Sequence, residues 1–130
     1  MIVVDASALV EALVGRAPDA GLLDALADEV SAPHLLDVEA MSVLRGLLLG
    51  GKISAEAADA ARRDLFALTI VRHDLEPLAE RVWELRRQFT AYDATYLALA
   101  EALGCPLLTC DAKLGARGHR AQVRVLAGAR

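Results

Sequence analysis

The fold is decided by the stretch Ile2-Val3-Val4-Asp5-Ala6-Ser7, a β-branched apolar run that ends in a carboxylate. A run of this kind is typical of a buried strand, which we place at residues 2–5. A later stretch, Pro106-Leu107-Leu108-Thr109-Cys110-Asp111, predicts a second buried strand that also ends in an aspartate. In a parallel sheet both acids would lie at the carboxyl edge of the strands, where such sheets bind ligands. Either aspartate alone is equally well explained as a helix N-cap or an Asx turn.

Helices and strands alternate along the rest of the chain. Helical periodicity and capping signals predict helices at 8–14, 18–28, 36–49, 54–65, 75–87 and 94–103. Short apolar runs predict further strands at 29–32, 68–72 and 124–126. This alternation predicts an α/β domain with a mainly parallel central sheet and helices on both faces. With 130 residues, of which 55% are hydrophobic, we expect one domain over 1–130 that buries its own core.

The composition excludes several classes of protein. A chain that is 55% hydrophobic and 25% charged is not intrinsically disordered. No run of 18 apolar residues occurs, and the first residues lack a basic leader, so we expect neither a membrane span nor a signal peptide. Cys105 and Cys110 would lie about 16 Å apart on an extended strand, too far for a disulfide. Reduced thiols of this kind favour a cytoplasmic location.

The net charge of −4 argues against a general nucleic-acid binder, which would be strongly basic. The charges are unevenly distributed, because no acidic residue follows Asp111 while several basic residues do. These cations could face phosphates or simply solvate the surface. The three histidines, His34, His73 and His119, are scattered without the spacing of a zinc site.

Two further acids lie on or beside apolar faces of predicted helices. Glu39 falls on the apolar stripe of the helix predicted at 36–49. Asp93 immediately precedes the helix predicted at 94–103 and lies on the same side as its apolar stripe. A carboxylate buried without a partner costs several kcal/mol, so Glu39 requires either a cation or an arginine such as Arg72 or Arg81. Asp93 could serve as the N-cap of its helix and still present one oxygen to a site.

Four acids brought together would repel one another and raise at least one pKa. A hard divalent cation resolves this conflict, because Mg²⁺ and Mn²⁺ prefer oxygen ligands. Such a site suits the hydrolysis of phosphodiester bonds.

The chain resembles the PIN-domain family and, within it, the VapC-type ribonuclease toxins of bacterial and archaeal toxin–antitoxin pairs. The resemblance covers nearly the whole sequence and rests on the stretches Ile2–Ser7, Ala32–Arg45, Thr90–Ala100 and Leu107–Asp111. The most specific of its motifs is Tyr92-Asp93-Ala94.

The resemblance implies a sheet of order 3-2-1-4-5, which places the first and fourth strands side by side. It implies that the catalytic and metal-binding quartet is Asp5, Glu39, Asp93 and Asp111, with Ser7 and Thr109 as supporting hydroxyls. Asp5, Asp93 and Asp111 would hold Mg²⁺ or Mn²⁺ directly, and Glu39 would hold a second cation or orient its water. The implied reaction is endonucleolytic cleavage of RNA to 5′-phosphate and 3′-hydroxyl products.

The resemblance also implies an RNA substrate, a cognate antitoxin that often inserts an arginine or lysine into the acidic pocket, and no membrane. Residues 47–49 are three consecutive leucines, which cannot all face one core, and this favours a partner or a homodimer. The substrate-binding residues are not fixed by the sequence. Candidates are Arg86, Arg87, Lys113 and Arg117, each equally well explained as solvated surface.

An alternative reading is a PIN scaffold that acts as a protein- or RNA-binding module without significant catalysis. A phospho-receiver domain fits poorly, because the first strand ends in a single acid and 68–72 contains none. A haloacid dehalogenase would have an acid or threonine where Ser7 stands.

Overall fold

The computed structural model describes residues 1–15 and 18–127 and contains a five-stranded parallel sheet. Its strands are β1 (Ile2–Val4), β2 (Val30–Pro33), β3 (Ile70–His73), β4 (Leu107–Thr109) and β5 (Val123–Val125). They are arranged in the order β3-β2-β1-β4-β5 with every neighbouring pair parallel. The α/β class and the strand order 3-2-1-4-5 are therefore confirmed.

The central strand β1 explains why the chain begins with an uninterrupted apolar run. Val3 lies in register with Ser31 of β2 on one side and with Leu107 of β4 on the other. A strand covered on both faces needs apolar side chains throughout, and Ile2–Val4 is buried at every position. The pairing of β1 with β4 also brings the residues that follow these two strands, among them Asp5 and Asp111, to the same edge of the sheet.

In the part of the chain that the structure describes, six helices and two 3₁₀ turns connect the strands. The helices are α1 (Ala6–Val14), α2 (Ala20–Leu26), α3 (Leu35–Leu49), α4 (Ala55–Ala67), α5 (Ala79–Glu84) and α6 (Ala91–Leu103). The 3₁₀ turns are at Glu76–Leu78 and Ala112–Gly115. Helices α1, α3 and α4 pack against one another, while α6 packs on β1, β2 and β4 with α5 beside it.

The helix expected at 75–87 is much shorter in the structure. Pro77 lies in the 3₁₀ turn, because proline lacks an N–H and is tolerated only in the first turn of a helix. The chain then forms α5, and from Leu85 onward it continues as turns rather than as a helix.

Helix α6 is the most deeply buried helix of the fold. Every residue from Ala94 to Ala100 is buried, so its position is fixed by packing on several sides. The helix ends at Gly104, which adopts the left-handed conformation at φ 64° that glycine accepts without strain. Cys105 and Cys110 are both free. Within 1–15 and 18–127, no helix combines the length and apolar character needed to cross a bilayer.

Candidate active site

Asp5 is held at the junction of β1 and α1 by hydrogen bonds to both of its carboxylate oxygens. It is the N-cap of α1, where Oδ1 accepts the N–H of Ala8 at 3.0 Å and the hydroxyl of Ser7 at 2.7 Å. Oδ2 accepts the hydroxyl of Thr109. Burial raises the pKa of Asp5, as does the charge of Asp111, against the lowering effect of these three hydrogen bonds.

Ser7 and Thr109 connect Asp5 to the chain beyond β4. The Ser7 hydroxyl oxygen accepts the backbone N–H of Cys110 at 2.9 Å, and the Thr109 hydroxyl oxygen accepts that of Asp111 at 2.9 Å. Each hydroxyl thus binds Asp5 as a donor and the neighbouring strand end as an acceptor. The structure therefore places both predicted supporting residues on Asp5.

Glu39 lies half-buried on α3, where its Oε1 accepts a hydrogen bond of 2.6 Å from the hydroxyl of Tyr96 on α6. Burial raises the pKa of Glu39, and the charges of Asp5 and Asp93 raise it further, while the bond from Tyr96 lowers it. Burial and the nearby Glu39 carboxylate raise the pKa of Tyr96 far above its ordinary value, so the phenol is a donor throughout the physiological range.

Neither arginine considered as a partner for Glu39 pairs with it. Arg72 forms a two-pronged ion pair with Asp37, its Nε lying 2.8 Å from Oδ2. Arg81 pairs with Glu101, its Nε lying 2.7 Å from Oε1. The interpretation of Glu39 as the buried partner of Arg72 or Arg81 is therefore wrong.

Asp93 lies in the first turn of α6 and is not its N-cap. The cap is Thr90, whose hydroxyl oxygen accepts the backbone N–H of Asp93 at 3.1 Å. The interpretation of Asp93 as the N-cap is therefore wrong, and its carboxylate does not cap α6. Burial raises the pKa of Asp93, as does Asp111, while Lys113 and Thr90 lower it.

Asp111 caps the 3₁₀ turn that follows β4, where its Oδ1 accepts the backbone N–H of Lys113 at 3.0 Å. The ammonium of Lys113 lies 3.6 Å from Oδ2, but the lysine side chain is 78% exposed. Because this cation is exposed to solvent, it neutralises only part of the local negative charge.

The four acids line one cavity of about 240 Å³ at the carboxyl edge of the sheet. They come from four different parts of the chain: the end of β1, α3, α6 and the turn that follows β4. Two further polar side chains line the same cavity and were not predicted as site residues, Ser42 and Tyr96. The sequence pattern indicates only that Tyr96 belongs to an apolar stripe of its helix. The fold shows that its hydroxyl contacts Glu39.

The donor set of this cavity fits a hard divalent cation. All of its charged side chains are carboxylates, and burial, with a smaller contribution from their mutual repulsion, raises the pKa of Asp5, Glu39 and Asp93. Among the residues that the structure describes, no three His, Cys, Asp or Glu side chains converge tightly enough to ligate a single ion. A cation bound here would therefore take only some of these carboxylates as direct ligands and complete its coordination shell with water, as Mg²⁺ usually does.

Of the four candidate substrate-binding cations, Lys113 alone forms a described ion pair with a pocket acid. The guanidinium of Arg86 instead lies over the ring of Trp83, at 4.9 Å from its centroid. Arg87 and Arg117 are exposed side chains. The structure thus gives no reason to place these three in the site.

Comparison with known proteins agrees with the fold. The family model described as "PIN domain" matches residues 2–119. The chain is 47% identical over 117 residues to Ribonuclease VapC1 of Mycobacterium tuberculosis, with 88% of each chain covered. It is 41% identical over 119 residues to Ribonuclease VapC9 of the same species, with 92% of each chain covered.

Two solved structures share the fold. The crystal structure of PAE2754 from Pyrobaculum aerophilum superposes with a TM-score of 0.66 at 26% identity, covering 87% of this chain and 76% of that one. The structure of Mycobacterium tuberculosis VapC20, described as a Sarcin-Ricin loop cleaving toxin, superposes with a TM-score of 0.63 at 22% identity. That match covers 92% of this chain and 97% of the other.

Proposed function

The chain belongs to the PIN domain family, and we propose that it is a Mg²⁺-dependent endoribonuclease, the toxin of a VapBC-type toxin–antitoxin pair. The observation that carries this proposal is the cavity itself: four carboxylates from four elements share it, and within the described chain none of them pairs with an arginine. The ribonuclease names of relatives at 41% and 47% identity support RNA as the substrate.

Each acid has a distinct part in this proposal. Asp5 is the most rigid of the four, because both of its oxygens accept hydrogen bonds from the protein, and it fixes the floor of the pocket. Asp93 and Asp111 offer partly exposed carboxylates above it, and Glu39 offers one from α3. These four residues would hold Mg²⁺, or Mn²⁺ in its place.

A bound cation of this kind supplies an activated water and neutralises charge that develops on the phosphate. The protein contributes the positions of its carboxylates and, through Lys113, a cation at the rim that attracts the RNA backbone. No histidine lines the cavity, so the protein itself offers carboxylates rather than an imidazole as proton acceptors there.

Cleavage of RNA with and without a chelator tests this function. We expect the purified protein to cut RNA with Mg²⁺ or Mn²⁺ and to lose this activity in EDTA. Asp5→Asn should lose it as well, whereas Asp24→Asn, the same change on the exposed surface of α2, should keep it. Equal cleavage with and without the chelator would show that cleavage does not require a metal ion.

The alternative function is a PIN scaffold that acts by binding alone. Expressing the wild type and Asp5→Asn and comparing their effects on cell growth distinguishes the two functions. Arrest with cleaved RNA for the wild type only supports catalysis, whereas equal arrest by both proteins favours binding. As an RNA-degrading toxin, the protein would work in the cytoplasm.

We propose a cognate antitoxin as the protein partner. The cavity is negatively charged, so an arginine or lysine of the antitoxin would occupy the same place as the cation. Binding of this kind predicts competition: an amount of antitoxin that stops cleavage at low Mn²⁺ should inhibit less as the Mn²⁺ concentration rises. Inhibition that is independent of Mn²⁺ would show that the antitoxin acts elsewhere.

We also propose a homodimer, because α3 presents large apolar side chains to solvent. Val38 is 71% exposed near its start and Leu49 is 67% exposed at its end, while Leu48 is exposed beside it. Of the three consecutive leucines, only Leu47 packs against the core. We expect light scattering to give twice the chain mass of 13.8 kDa at micromolar concentration. A mass of one chain at every concentration would contradict the dimer.

A further inference from the structure

Tyr96 donates a hydrogen bond to a pocket carboxylate, yet the proposed chemistry assigns it no role. It lies on α6, one turn after Asp93, and its ring is 2% exposed. A buried tyrosine hydroxyl requires a hydrogen-bond partner, and here the partner is a carboxylate oxygen 57 positions away in the chain, at 2.6 Å.

We infer that Tyr96 is a positioning residue, which holds Glu39 by Oε1 so that its second oxygen, Oε2, is the one offered to a cation. This inference rests on the proposed metal-dependent function. It gives Tyr96 no contact with the substrate and no part in moving a proton.

The surroundings of Glu39 explain why it needs such a restraint. Its neighbours on α3 include Val38 and Val43, both exposed, so the long glutamate side chain has open solvent within reach. The negative charges of Asp5 and Asp93 act on Glu39 from within the cavity and favour its turning outward. The hydrogen bond from the rigid tyrosine opposes this motion and keeps the carboxylate in the pocket.

The second oxygen of Glu39 is left accessible by this arrangement. Within the described residues, Oε2 has no hydrogen-bond partner, and no buried side-chain nitrogen or oxygen is left unpartnered. Oε2 is therefore not sealed in the core. Glu39 would then act as a ligand through one oxygen, while its other oxygen is occupied by Tyr96.

Mn²⁺ affinity, measured by titration calorimetry or electron paramagnetic resonance, tests this role without relying on catalysis. We expect Tyr96→Phe to weaken Mn²⁺ binding by about 10-fold or more, as is usual when the partner of a metal ligand is removed. Tyr92→Phe is the matched control, since it makes the same change on the exposed face of the same helix. It should bind Mn²⁺ as the wild type does.

A double-mutant cycle distinguishes positioning from a merely structural effect. If Tyr96 acts through Glu39, the double variant Tyr96→Phe/Glu39→Gln binds Mn²⁺ no more weakly than Glu39→Gln alone. Additive losses, or wild-type affinity in Tyr96→Phe, would overturn the inference and leave the proposed function standing. A wild-type protein that binds no Mn²⁺ would overturn both.

A second variant keeps the inference testable if Tyr96→Phe fails to fold. Glu39→Asp retains the negative charge but withdraws the carboxylate from Tyr96 by one methylene group. We expect its Mn²⁺ affinity to fall by at least as much as the loss expected for Tyr96→Phe. Wild-type affinity in Glu39→Asp would overturn the inference.

Discussion

The hydroxyl of Thr109, at the end of β4, donates a hydrogen bond to Oδ2 of Asp5, which lies 104 positions earlier in the chain at the end of β1. Thr109 is fully buried, and its hydroxyl oxygen also accepts the backbone N–H of Asp111. One hydroxyl therefore orients one pocket acid and anchors the backbone of another.

Replacing Thr109 by valine should weaken both the fold and the site. The change removes the hydroxyl and leaves Oδ2 of Asp5 and the backbone N–H of Asp111 without their hydrogen-bond partner. We expect this to lower the free energy of unfolding, measured in urea, by about 1–3 kcal/mol. Mn²⁺ binding should weaken in parallel. Thr69→Val, the same change at an exposed position before β3, should alter neither quantity. Unchanged Mn²⁺ binding in Thr109→Val would contradict its supporting role.

Two acids of α3 only two residues apart should respond in opposite ways to loss of charge. Glu39→Gln should abolish RNA cleavage without loss of stability, because it removes a carboxylate that repels Asp5 and Asp93. Asp37→Asn should retain cleavage but lose about 1–2 kcal/mol, because it weakens the half-buried pair with Arg72. Cleavage assays and urea unfolding check the two outcomes, and an exchange of the two phenotypes would contradict the site.

The stability of the fold should depend on pH through the pocket acids. Burial, together with neighbouring carboxylates, raises the pKa of Asp5, Glu39 and Asp93 in the folded chain. The folded state therefore holds these protons more tightly than the unfolded state does. Their contribution to stability is present at low pH, and it is lost as the pH rises from the ordinary values of 3.8 and 4.5 through the raised ones.

Urea unfolding at a series of pH values checks this dependence. The free energy of unfolding of the wild type, minus that of Glu39→Gln, should fall as the pH rises. Adding Mg²⁺ near pH 7 should restore stability, because a ligand that binds only the folded state stabilises it. A difference that rises with pH would contradict the raised pKa of Glu39.

Glu101 should act in the opposite direction. Burial tends to raise its pKa, but hydrogen bonds from Arg81 and from the backbone of Arg120 outweigh burial and lower it. Its contribution to stability is therefore present above the ordinary value of 4.5 and is lost as the pH falls through the lowered one. Unfolding below pH 5 should consequently depend less on pH in Glu101→Gln than in the wild type.

Lys113 should contribute to RNA binding as a single phosphate contact. Lys113→Gln should weaken binding across RNA sequences alike and reduce the slope of log affinity against log salt by about one. Lys52→Gln, an exposed lysine in the connection between α3 and α4, is the matched control and should leave the slope unchanged. A slope unchanged by the loss of Lys113 would place the RNA elsewhere.

The local sequence pattern was sufficient to predict the strands and the two acids that follow β1 and β4, whereas the strand order and the set of four acids were predicted from the family resemblance. An apolar run that ends in aspartate marks the end of a buried strand whatever lies around it, and the two such runs at 2–5 and 106–111 are adjacent in the sheet. Whether these acids bind metal remains a prediction, since it concerns an ion and not the fold.

The partners of individual side chains could not be predicted in the same way. Arg72 and Arg81 were plausible partners of Glu39, yet each has its own acid, Asp37 and Glu101. The role of Tyr96 was missed for the same reason, since its partner is far away in the chain. The cap of α6 was misplaced by three residues, because Thr90 and Asp93 are both residues that favour a helix start.

The order of strands in the sheet determines when the site can form during synthesis on the ribosome. Translation delivers the N-terminal strand first, but β1 remains without one of its neighbours until β4 has emerged more than a hundred residues later. An unfinished chain lacks Asp111 and the hydroxyl of Thr109, so it has no complete pocket. If the chain is the ribonuclease proposed above, it therefore cannot cleave RNA until most of it has been synthesised.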